Sequence, residues 1–367
     1  MKFYQWAVFI GMSVLFMIGC SKSTSVDPPP ADPDPVDPGT PTVIIPDNNE
    51  DTLGNWQLIH KADTGSSANR TPRFTQVMFP TKDTGYLVDE YYSNIVFEKR
   101  TFDGGITWTY KQLPGETNKL QYLSAKVGFA YLNNQPGSML GQTTNSGDKW
   151  VGYPDLTNPY MPIFKKLSFP SDSIIYGITQ IGQCIRMSGP LKSRLSGSKI
   201  AGNVDGDDCA NLFFPTIKDG WVITNLQGLT MADVRGSIYS TADSGTTWQK
   251  QFETTDTYLY QMYFVDNKNG WVTTNKNYFF KTTDGKTWTK IVASVNTPYP
   301  ISTNKIIFIN TERGFMTSGK EVFETNNGGT NWTRICKIGS EGIQDMYLTK
   351  PNILWICTNN ALYSLKL

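Results

Sequence analysis

The chain has 367 residues and a formal net charge of +1, with 18% charged residues, 13% aromatic residues and 32 glycines. This length is sufficient for a large core in one or two domains. The near-zero net charge offers no electrostatic basis for a nucleic-acid partner, and few charges with many aromatics and glycines favour an all-β protein.

The beginning of the chain has the features of a targeting segment. An apolar run from Ala7 to Gly19 is too short to span a bilayer, which needs about 20 residues. It ends in Met17-Ile18-Gly19-Cys20, which resembles a bacterial lipobox. The resemblance implies that residues 1–19 are a lipoprotein signal peptide and that Cys20 carries the lipid, an ordinary secretory signal being the alternative. Ser21 resembles outer-membrane sorting, so we expect a lipoprotein of the bacterial cell envelope; the side of the membrane stays open.

Residues 20–53 are predicted to form a disordered tether behind the lipid. The segment contains runs such as Asp27-Pro28-Pro29-Pro30, and seven acidic residues fall within 21–54. Proline is incompatible with regular helix and sheet pairing, and the acids repel one another. The tether should therefore hold a folded domain, residues 54–367, away from the membrane.

From Trp56 onward the sequence repeats itself. Each unit has an apolar strand, a short turn, and then Gly with an aromatic residue that begins a second strand. Seven units follow one another at spacings of 40 to 50 residues, and their first strands end at Phe79, Leu123, Phe169, Phe214, Phe264, Phe308 and Leu348. A repeated four-stranded unit of about 45 residues is typical of a β-propeller blade. We therefore predict an all-β, seven-bladed β-propeller.

Most units close with a second motif, Ser/Thr-x-Asp-x-Gly-x-Thr-Trp, for example from Thr101 to Trp108 and from Thr241 to Trp248. A short Asp or Asn accepts backbone N–H bonds within a turn, Gly supplies a positive φ, and Trp can wedge against the blade. The motif predicts a hairpin between the third and fourth strands. We assign a structural role to Asp103, Trp108, Asn145, Trp150, Asp243, Trp248, Asp284, Trp288, Asn327 and Trp332.

The seventh unit ends at Leu367 after only three strands. Gly54 to His60 resembles the Trp-led outer strands, such as Asn331 to Ile335. We predict that this N-terminal strand closes the last blade, because closure ties the ring shut and hides an edge that would otherwise pair with other chains.

The two motifs together resemble the Asp-box, or bacterial neuraminidase repeat, propellers across residues 54–367. They are most similar to the photosystem II stability/assembly factor-like proteins; Asn269-Gly270-Trp271-Val272 leading to Lys281 to Trp288 shows the pattern. The resemblance is specific for fold and weak for function, because hydrolases, receptors and assembly factors share such blades. A sialidase is disfavoured, because Arg313 and Arg334 fall where they cannot join a carboxylate-binding cluster.

The ligand face is expected opposite the Asp-box turns, on loops that join second to third strands and one blade to the next. Its candidate contact residues are Asp89, Tyr91, Tyr92, Asn133 and Arg235. Exposed aromatics beside amides suit protein or sugar contacts. No residue is assigned to catalysis, to a cofactor or to a metal.

We therefore expect a non-catalytic binding or assembly module that recognises a protein or a glycan through one propeller face, with the membrane as a second partner through the lipid. The alternative is a glycoside hydrolase or lyase acting on polysaccharide, whose acids would be sought first at Asp89, Glu90, Asp208 and Asp345. The identity of the partner and the oligomeric state stay open.

Four further cysteines permit two disulfides in an exported protein, namely Cys184, Cys209, Cys336 and Cys357. Cys184 and Cys209 bracket the irregular third unit, which lacks an Asp box, so a disulfide there would replace the missing turn. Buried free thiols are the alternative, and the sequence leaves the choice open.

Overall fold

The computed structural model describes residues 53–62, 73–90, 96–113, 116–134, 137–152, 164–171, 174–179, 184–188, 196–197, 208–227, 234–276, 278–295, 303–338, 341–350 and 352–367. The predicted signal peptide, Cys20, the tether before Leu53, and Tyr91 with Tyr92 lie outside these residues. No helix in the described ranges is both long and apolar enough to cross a bilayer.

The described strands form seven antiparallel blades, numbered here along the chain. Blade 1 contains β2 (Phe74–Met78), β3 (Gly85–Glu90), β4 (Val96–Thr101) and β5 (Thr109–Gln112). Blade 2 contains β6 (Glu116–Tyr122), β7 (Gly128–Asn134), β8 (Gly137–Thr143) and β9 (Val151–Gly152). Blade 3 contains β10 (Phe164–Ser168), β11 (Ile174–Thr179), β12 (Cys184–Ser188) and β13 (Ser196–Gly197). Blade 4 contains β14 (Asp208–Phe213), β15 (Gly220–Gln227), β16 (Val234–Thr241) and β17 (Gln249–Thr254).

The remaining blades follow the same order. Blade 5 contains β18 (Leu259–Phe264), β19 (Gly270–Thr274), β20 (Tyr278–Thr282) and β21 (Thr289–Val292). Blade 6 contains β23 (Lys305–Phe308), β24 (Gly314–Ser318), β25 (Glu321–Thr325) and β26 (Asn331–Lys337), with the short β22 (Ser294–Val295) parallel to β26. Blade 7 contains β27 (Ile343–Thr349), β28 (Ile353–Thr358), β29 (Ala361–Lys366) and, as its outer strand, β1 (Gln57–Lys61). The predicted seven-bladed propeller is confirmed.

The N-terminal strand closes the ring, as predicted. β1 pairs antiparallel with β29, with Gln57 opposite Ser364. Trp56 is buried in the core between blades 6 and 7. Leu53 is buried in the same core, and its carbonyl accepts a hydrogen bond from Trp56 N at 3.0 Å. The sequence boundary is therefore corrected: Leu53 belongs to the folded domain, because its apolar side chain fills the seam that Trp56 also fills.

Stacked rings join most blades to the next one around the ring. In the seam between blades 5 and 6, Trp271 stacks on Phe308 with ring centroids 3.6 Å apart, and its Nε1 donates to Gly328 O at 3.0 Å. Each such pair adds about 0.5–1.5 kcal/mol beyond its buried area. The equivalent pairs are Tyr86 with Tyr122, Phe129 with Phe169, Tyr176 with Phe214, Trp221 with Phe264, and Trp355 with Phe79.

The glycine that precedes the second-strand aromatic in blades 1, 2, 4, 5 and 6 has a packing cause. A Cβ on Gly270 would lie 2.4 Å from the ring of Phe264 on the neighbouring inner strand of the same blade. The same clash occurs between Gly220 and Phe214, at 2.2 Å. The Gly-aromatic motif therefore places one ring against the next blade and leaves room for the ring of its own blade.

The Asp-box tryptophan completes this arrangement by meeting the inner-strand ring of its own blade edge-on. Trp248 lies at 90° to Phe214, with centroids 5.9 Å apart, and Trp288 lies at 89° to Phe264. In the five blades that carry an Asp box, the two sequence motifs together hold the inner strand between a stacked ring and a perpendicular ring.

A polar contact fastens the closing strand to blade 1. His60 Nε2 lies 2.9 Å from Lys99 Nζ, and the imidazole is sandwiched near Phe74 and Trp108. Lys99 is fully buried, with its ammonium 4.2 Å from the centre of the Tyr110 ring. Burial, followed by the charge of Lys99, lowers the pKa of His60 to about 3, so a neutral imidazole accepts a hydrogen bond from the lysine.

Candidate functional site: the loop face and the axial channel

The ring has two faces, which the hydrogen bonds of the turns distinguish. Asp-box turns contact the first-to-second turn of their own blade: Ser244 N donates to Lys218 O at 3.0 Å, and Gly328 N donates to Glu312 O at 2.8 Å. Both kinds of turn therefore lie where the inner strands end. We call this side the Asp-box face, and the opposite side, where the inner strands begin, the loop face.

The Asp-box side chains are engaged within their own turns. Asp243 accepts hydrogen bonds from Thr247 N at 2.8 Å and from Thr247 Oγ1 at 2.7 Å. Hydrogen bonding by Thr247 lowers the pKa of Asp243 to about 2. Asn327 accepts from Asn331 N at 2.8 Å in the same way. These contacts are the turn role that the sequence predicts, and they hold the carboxyl as an anion that is unsuited to donating a proton.

A cavity of about 370 Å³ lies on the axis of the propeller, lined by the inner strands of blades 2 to 7. Its residues include Gln121, Lys166, Asn211, Gln261 and Tyr263. Ligand pockets commonly measure about 300–1,000 Å³. The channel is therefore large enough for a few side chains or a short extended segment, and too small for a folded domain.

A belt of polar side chains runs around this channel. Gln76 Nε2 donates to Leu120 O at 2.6 Å, linking blade 1 to blade 2. Asn211 Nδ2 donates to Tyr260 O at 2.9 Å, linking blade 4 to blade 5. Gln261 Nε2 of blade 5 donates to the carbonyl of Asn304 in blade 6. All three side chains occupy one repeat position, three residues before the last apolar residue of the inner strand.

An ion pair occupies the same belt in blades 6 and 7. Lys305 Nζ contacts Asp345 Oδ1, and Asp345 Oδ2 accepts from Val77 N at 3.1 Å. Lys166 is exposed on the inner strand of blade 3. Asp345 lies beside the cavity and not in its described lining, which contains no carboxylate, and both of its oxygens are engaged. The lining residues therefore lack the two facing carboxyl groups that glycoside hydrolysis requires.

Register shifts mark the loop-face end of six inner strands, including β10, β14 and β18. In β18 the shift lies between Leu259 and Met262, and Tyr260 within it is 47% exposed. Bulges redirect side chains and are frequent beside binding sites. Asn304 and Gln344 are exposed at the corresponding positions of blades 6 and 7. We call Tyr260, Asn304 and Gln344 the channel rim.

The predicted ligand patch is only partly described, and one member needs correction. Asp89 is fully buried at the end of β3, and its Oδ1 accepts from Arg73 N at 3.0 Å. It holds the strand end in place and is not an exposed contact, because β3 is buried on both sides. Glu90, beside it, accepts from Thr75 Oγ1 at 3.2 Å.

The other predicted contact residues have mixed positions. Arg235 is half-buried on β16, with its Nε 4.0 Å from Glu253 of the adjacent outer strand. Asn133 pairs through its backbone with Glu116 and Ser138. The structure does not describe the side chains of Asn133 and Asp208, nor the residues Tyr91 and Tyr92. Their part in binding stays a prediction.

Sequence reasoning missed the belt and the rim. The signal was a polar residue three positions before the last apolar residue of most inner strands, as in Gln76, Asn211 and Gln261, whereas blade 2 has Leu120 there. The repeat places these side chains at one level of the channel. Tyr260 carried no such signal, since a bulge decides its direction.

The comparisons with known proteins agree with this architecture. Residues 248–341 match the family model described as photosynthesis system II assembly factor YCF48. The chain is a seven-bladed Asp-box propeller similar to YCF48. The resemblance predicted from the paired motifs is therefore confirmed. No curated protein matches the chain in sequence.

Solved structures extend the likeness beyond the matched segment. YCF48 bound to D1 peptide superposes with a TM-score of 0.63 at 16% identity, covering 86% of this chain and 97% of that one. YCF48 from Cyanidioschyzon merolae gives 0.60 at 14% identity, covering 85% and 99%. A GH74 xyloglucanase from Xanthomonas campestris gives 0.54 at 12% identity, covering 78% and 51%. At these identities the likeness shows the fold.

Among the described residues, no three His, Cys, Asp or Glu side chains are grouped closely enough to hold a metal ion. The polar groups that line the described cavity are side-chain amides, two lysines, one serine and two tyrosine hydroxyls.

Proposed function

We propose that this protein is a non-catalytic module, anchored in the bacterial cell envelope, that binds a segment of a protein partner through the loop face and the mouth of the axial channel. The observation that carries the proposal is the polar belt at a small axial cavity, whose described lining contains no carboxylate and whose neighbour Asp345 is already engaged. Such a site offers hydrogen bonds and charge without the groups needed to cleave a glycosidic bond.

The charges of the cavity indicate which segments fit. Lys166 and Lys305 line the cavity, and Asp345 beside it pairs with Lys305, so these three side chains together carry a formal charge of +1. An entering segment that bears a carboxylate would be favoured, because charge complementarity guides encounter and excludes wrong partners. Exposed Tyr260 at the rim provides an amphipathic ring of the kind enriched in protein interfaces.

A protein partner is preferred to a glycan because of the relatives. The fold is similar to that of a YCF48 structure bound to D1 peptide, and residues 248–341 match the YCF48 family model. Both support recognition of a polypeptide segment here. Tyr91 and Tyr92 directly follow β3 in the sequence, and their part in the proposed surface is a prediction from the sequence.

Membrane anchoring is the second part of the proposal. It is supported by the apolar leader that ends at Cys20 and by the proline- and aspartate-rich segment that follows. Several acyl chains give stable attachment, since each buried CH₂ contributes about 0.8 kcal/mol. The tether would present the propeller to partners at a distance from the outer membrane.

Site-specific photocrosslinking tests the binding surface. A photoreactive phenylalanine analogue replaces Tyr260 in the full-length protein, and a matched variant replaces Ile217, which is 39% exposed in a first-to-second turn on the Asp-box face. We expect one protein to crosslink in cells from position 260 and not from position 217. Equal crosslinking from both positions would overturn the assignment of the face.

The captured partner, once purified, allows an affinity test. Lys166→Glu should weaken binding at least tenfold, whereas Lys126→Glu on the Asp-box face should leave it unchanged. Tyr91→Ala combined with Tyr92→Ala should also weaken binding, with little effect on the melting temperature. Full affinity in the Lys166 and tyrosine variants contradicts the proposal, as does turnover of a polysaccharide that is lost on changing one channel carboxylate.

A further inference from the structure

The four cysteines of the propeller are all buried thiols in this structure, but they do not share one environment. Cys184 and Cys209 lie in the same apolar cluster, in the seam between blades 3 and 4. Cys336 lies in the seam between blades 6 and 7, and Cys357 lies in the seam between blades 7 and 1. The propeller therefore brings one pair into one core and separates the other two.

The strand pattern explains the separation of Cys336 from Cys357. Ile356 packs in the same core as Cys336, and Cys357 is the next residue along β28. Successive side chains of a strand point to opposite sides of the sheet. Cys357 therefore faces blade 1 from the far side of blade 7, where its neighbours include Phe79 and Leu362.

Cys184 and Cys209, by contrast, lie in one buried cluster on neighbouring blades. Cys184 begins β12 opposite Ile178, and Cys209 lies near the start of β14 opposite Thr224. Ile178 belongs to the same buried cluster as both cysteines. Burial, followed by the nearby Cys209, raises the pKa of the Cys184 thiol to about 12. Four cysteines can pair in three ways. Cys184 and Cys209 share one buried cluster, whereas Cys336 and Cys357 lie in two others.

Blade 3 differs from its neighbours at its outer edge. Its described outer strand, β13, has two residues, and its sequence lacks an Asp box. In the seam itself Tyr176 stacks on Phe214 at 3.6 Å, and Trp248 of blade 4 meets the Phe214 ring at 90°.

We infer that Cys184 and Cys209 form a disulfide that links blade 3 to blade 4 when the protein folds in an oxidising compartment. The inference depends on export of the protein, which is part of the proposed function, and does not depend on which partner the protein binds. Each thiol gives up one proton, an S–S bond forms between the two sulfurs, and two electrons pass to a thiol–disulfide oxidoreductase whose own disulfide becomes a dithiol. Compartments outside the cytoplasm maintain such bonds.

The burial of both thiols dictates when the bond forms. The thiolate is the reacting species in disulfide exchange, and burial in apolar surroundings suppresses it. Oxidation should therefore occur during folding, before the seam closes. Folded, reduced protein should resist oxidation, whereas protein refolded with oxidised glutathione should acquire the bond.

Peptide mapping tests the pairing directly. Full-length protein from isolated envelopes is denatured with N-ethylmaleimide, digested without reductant and examined by mass spectrometry. We expect one cross-linked peptide pair, containing Cys184 and Cys209, and alkylated Cys336 and Cys357. Alkylated Cys184 in protein that carries the lipid on Cys20 overturns the inference while leaving the anchor intact. Protein that lacks the lipid and remains in the cytoplasm instead contradicts the export on which the inference rests.

Matched double variants give a second readout that does not depend on export. Wild-type protein and the variants Cys184→Ala/Cys209→Ala and Cys336→Ala/Cys357→Ala are refolded with oxidised glutathione. Reductant should lower the melting temperature of the wild type and of the 336/357 variant by about 5 °C, and should leave the 184/209 variant unchanged. A reductant effect that persists in the 184/209 variant would overturn the inference, as would its absence in the wild type.

Discussion

The indole of Trp271 lies parallel to the ring of Phe308 in the next blade, with centroids 3.6 Å apart and an angle of 4° between the planes. Trp332 meets the same Phe308 ring at 75°. One inner-strand residue thus receives the second-strand ring of the preceding blade and the Asp-box ring of its own blade. This relationship recurs around the propeller, and it accounts for both sequence motifs.

The space for the stacked rings comes from glycine. Gly270→Ala would bring a Cβ to 2.4 Å from the Phe264 ring, and overpacking of this kind typically costs about 1–3 kcal/mol. We expect the midpoint of urea unfolding to fall accordingly. Gly342→Ala is the control, since the nearest atom to its Cβ lies at 3.7 Å. Equal midpoints for the two variants would show that the glycine is not required for packing.

The Asp-box carboxyl acts as a hydrogen-bond acceptor in its turn. Asp243→Ala should lower the melting temperature, because Thr247 N and Thr247 Oγ1 lose their acceptor. Asp243→Asn should stay close to the wild type, since Asn327 accepts the corresponding backbone bond in blade 6. Binding of the partner should be unchanged in both variants. An asparagine variant as unstable as the alanine variant would indicate that the charge, not the acceptor, is needed.

The buried His60 makes stability depend on pH. Its folded pKa, about 3, lies below the unfolded value of 6.5. As the pH falls, the unfolded chain therefore takes up a proton at this residue before the folded protein does. The free energy of unfolding should therefore fall as the pH drops below 6.5, by about 2 kcal/mol at pH 5 relative to a variant without this group. Urea titrations at several pH values should show a shallower slope for His60→Gln, and an unchanged slope would contradict the assignment.

Closure of the ring predicts a sharp boundary for truncation. Removal of residues 1–52 should leave the melting temperature unchanged, because Leu53 and Trp56 keep their places in the core between blades 6 and 7. Removal of residues 1–61 deletes both side chains and exposes β29 as an edge, which should cost more than the roughly 3–5 kcal/mol expected for loss of a buried tryptophan alone. Circular dichroism melts compare the two; the same melting temperature would speak against closure.

The lipid anchor is tested separately from the propeller. Cys20→Ala should abolish incorporation of a fatty-acid probe and release the protein from membranes, whereas Cys336→Ala should leave both unchanged. Undiminished labelling of the Cys20 variant would rule out lipidation at this residue.

The repeat in the sequence was sufficient to predict the blade number and the closing strand, because each motif reports a local contact. A second-strand aromatic recurs wherever two rings stack at a blade seam, with glycine before it in five of the seven blades, and Trp56 matches the tryptophans of the other outer strands. The turn role of Asp243 follows from contacts within a few residues, so it too was readable. The sequence did not indicate that Leu53 packs in the core, since a single apolar residue beside a polar tether shows no periodic pattern.

The site depended on the closed ring. Lys305 and Asp345 are 40 residues apart, and they meet only because neighbouring inner strands are adjacent. Asp89 was expected at the surface from its position after an apolar strand, but β3 is buried on both sides and the carboxyl turns to Arg73 N. Tyr260 is directed by a bulge that local sequence does not encode. The sequence by itself determined the blades, because their contacts are local and periodic, whereas the tertiary structure decided which side chains share the channel, because those contacts join residues that only closure of the ring brings together.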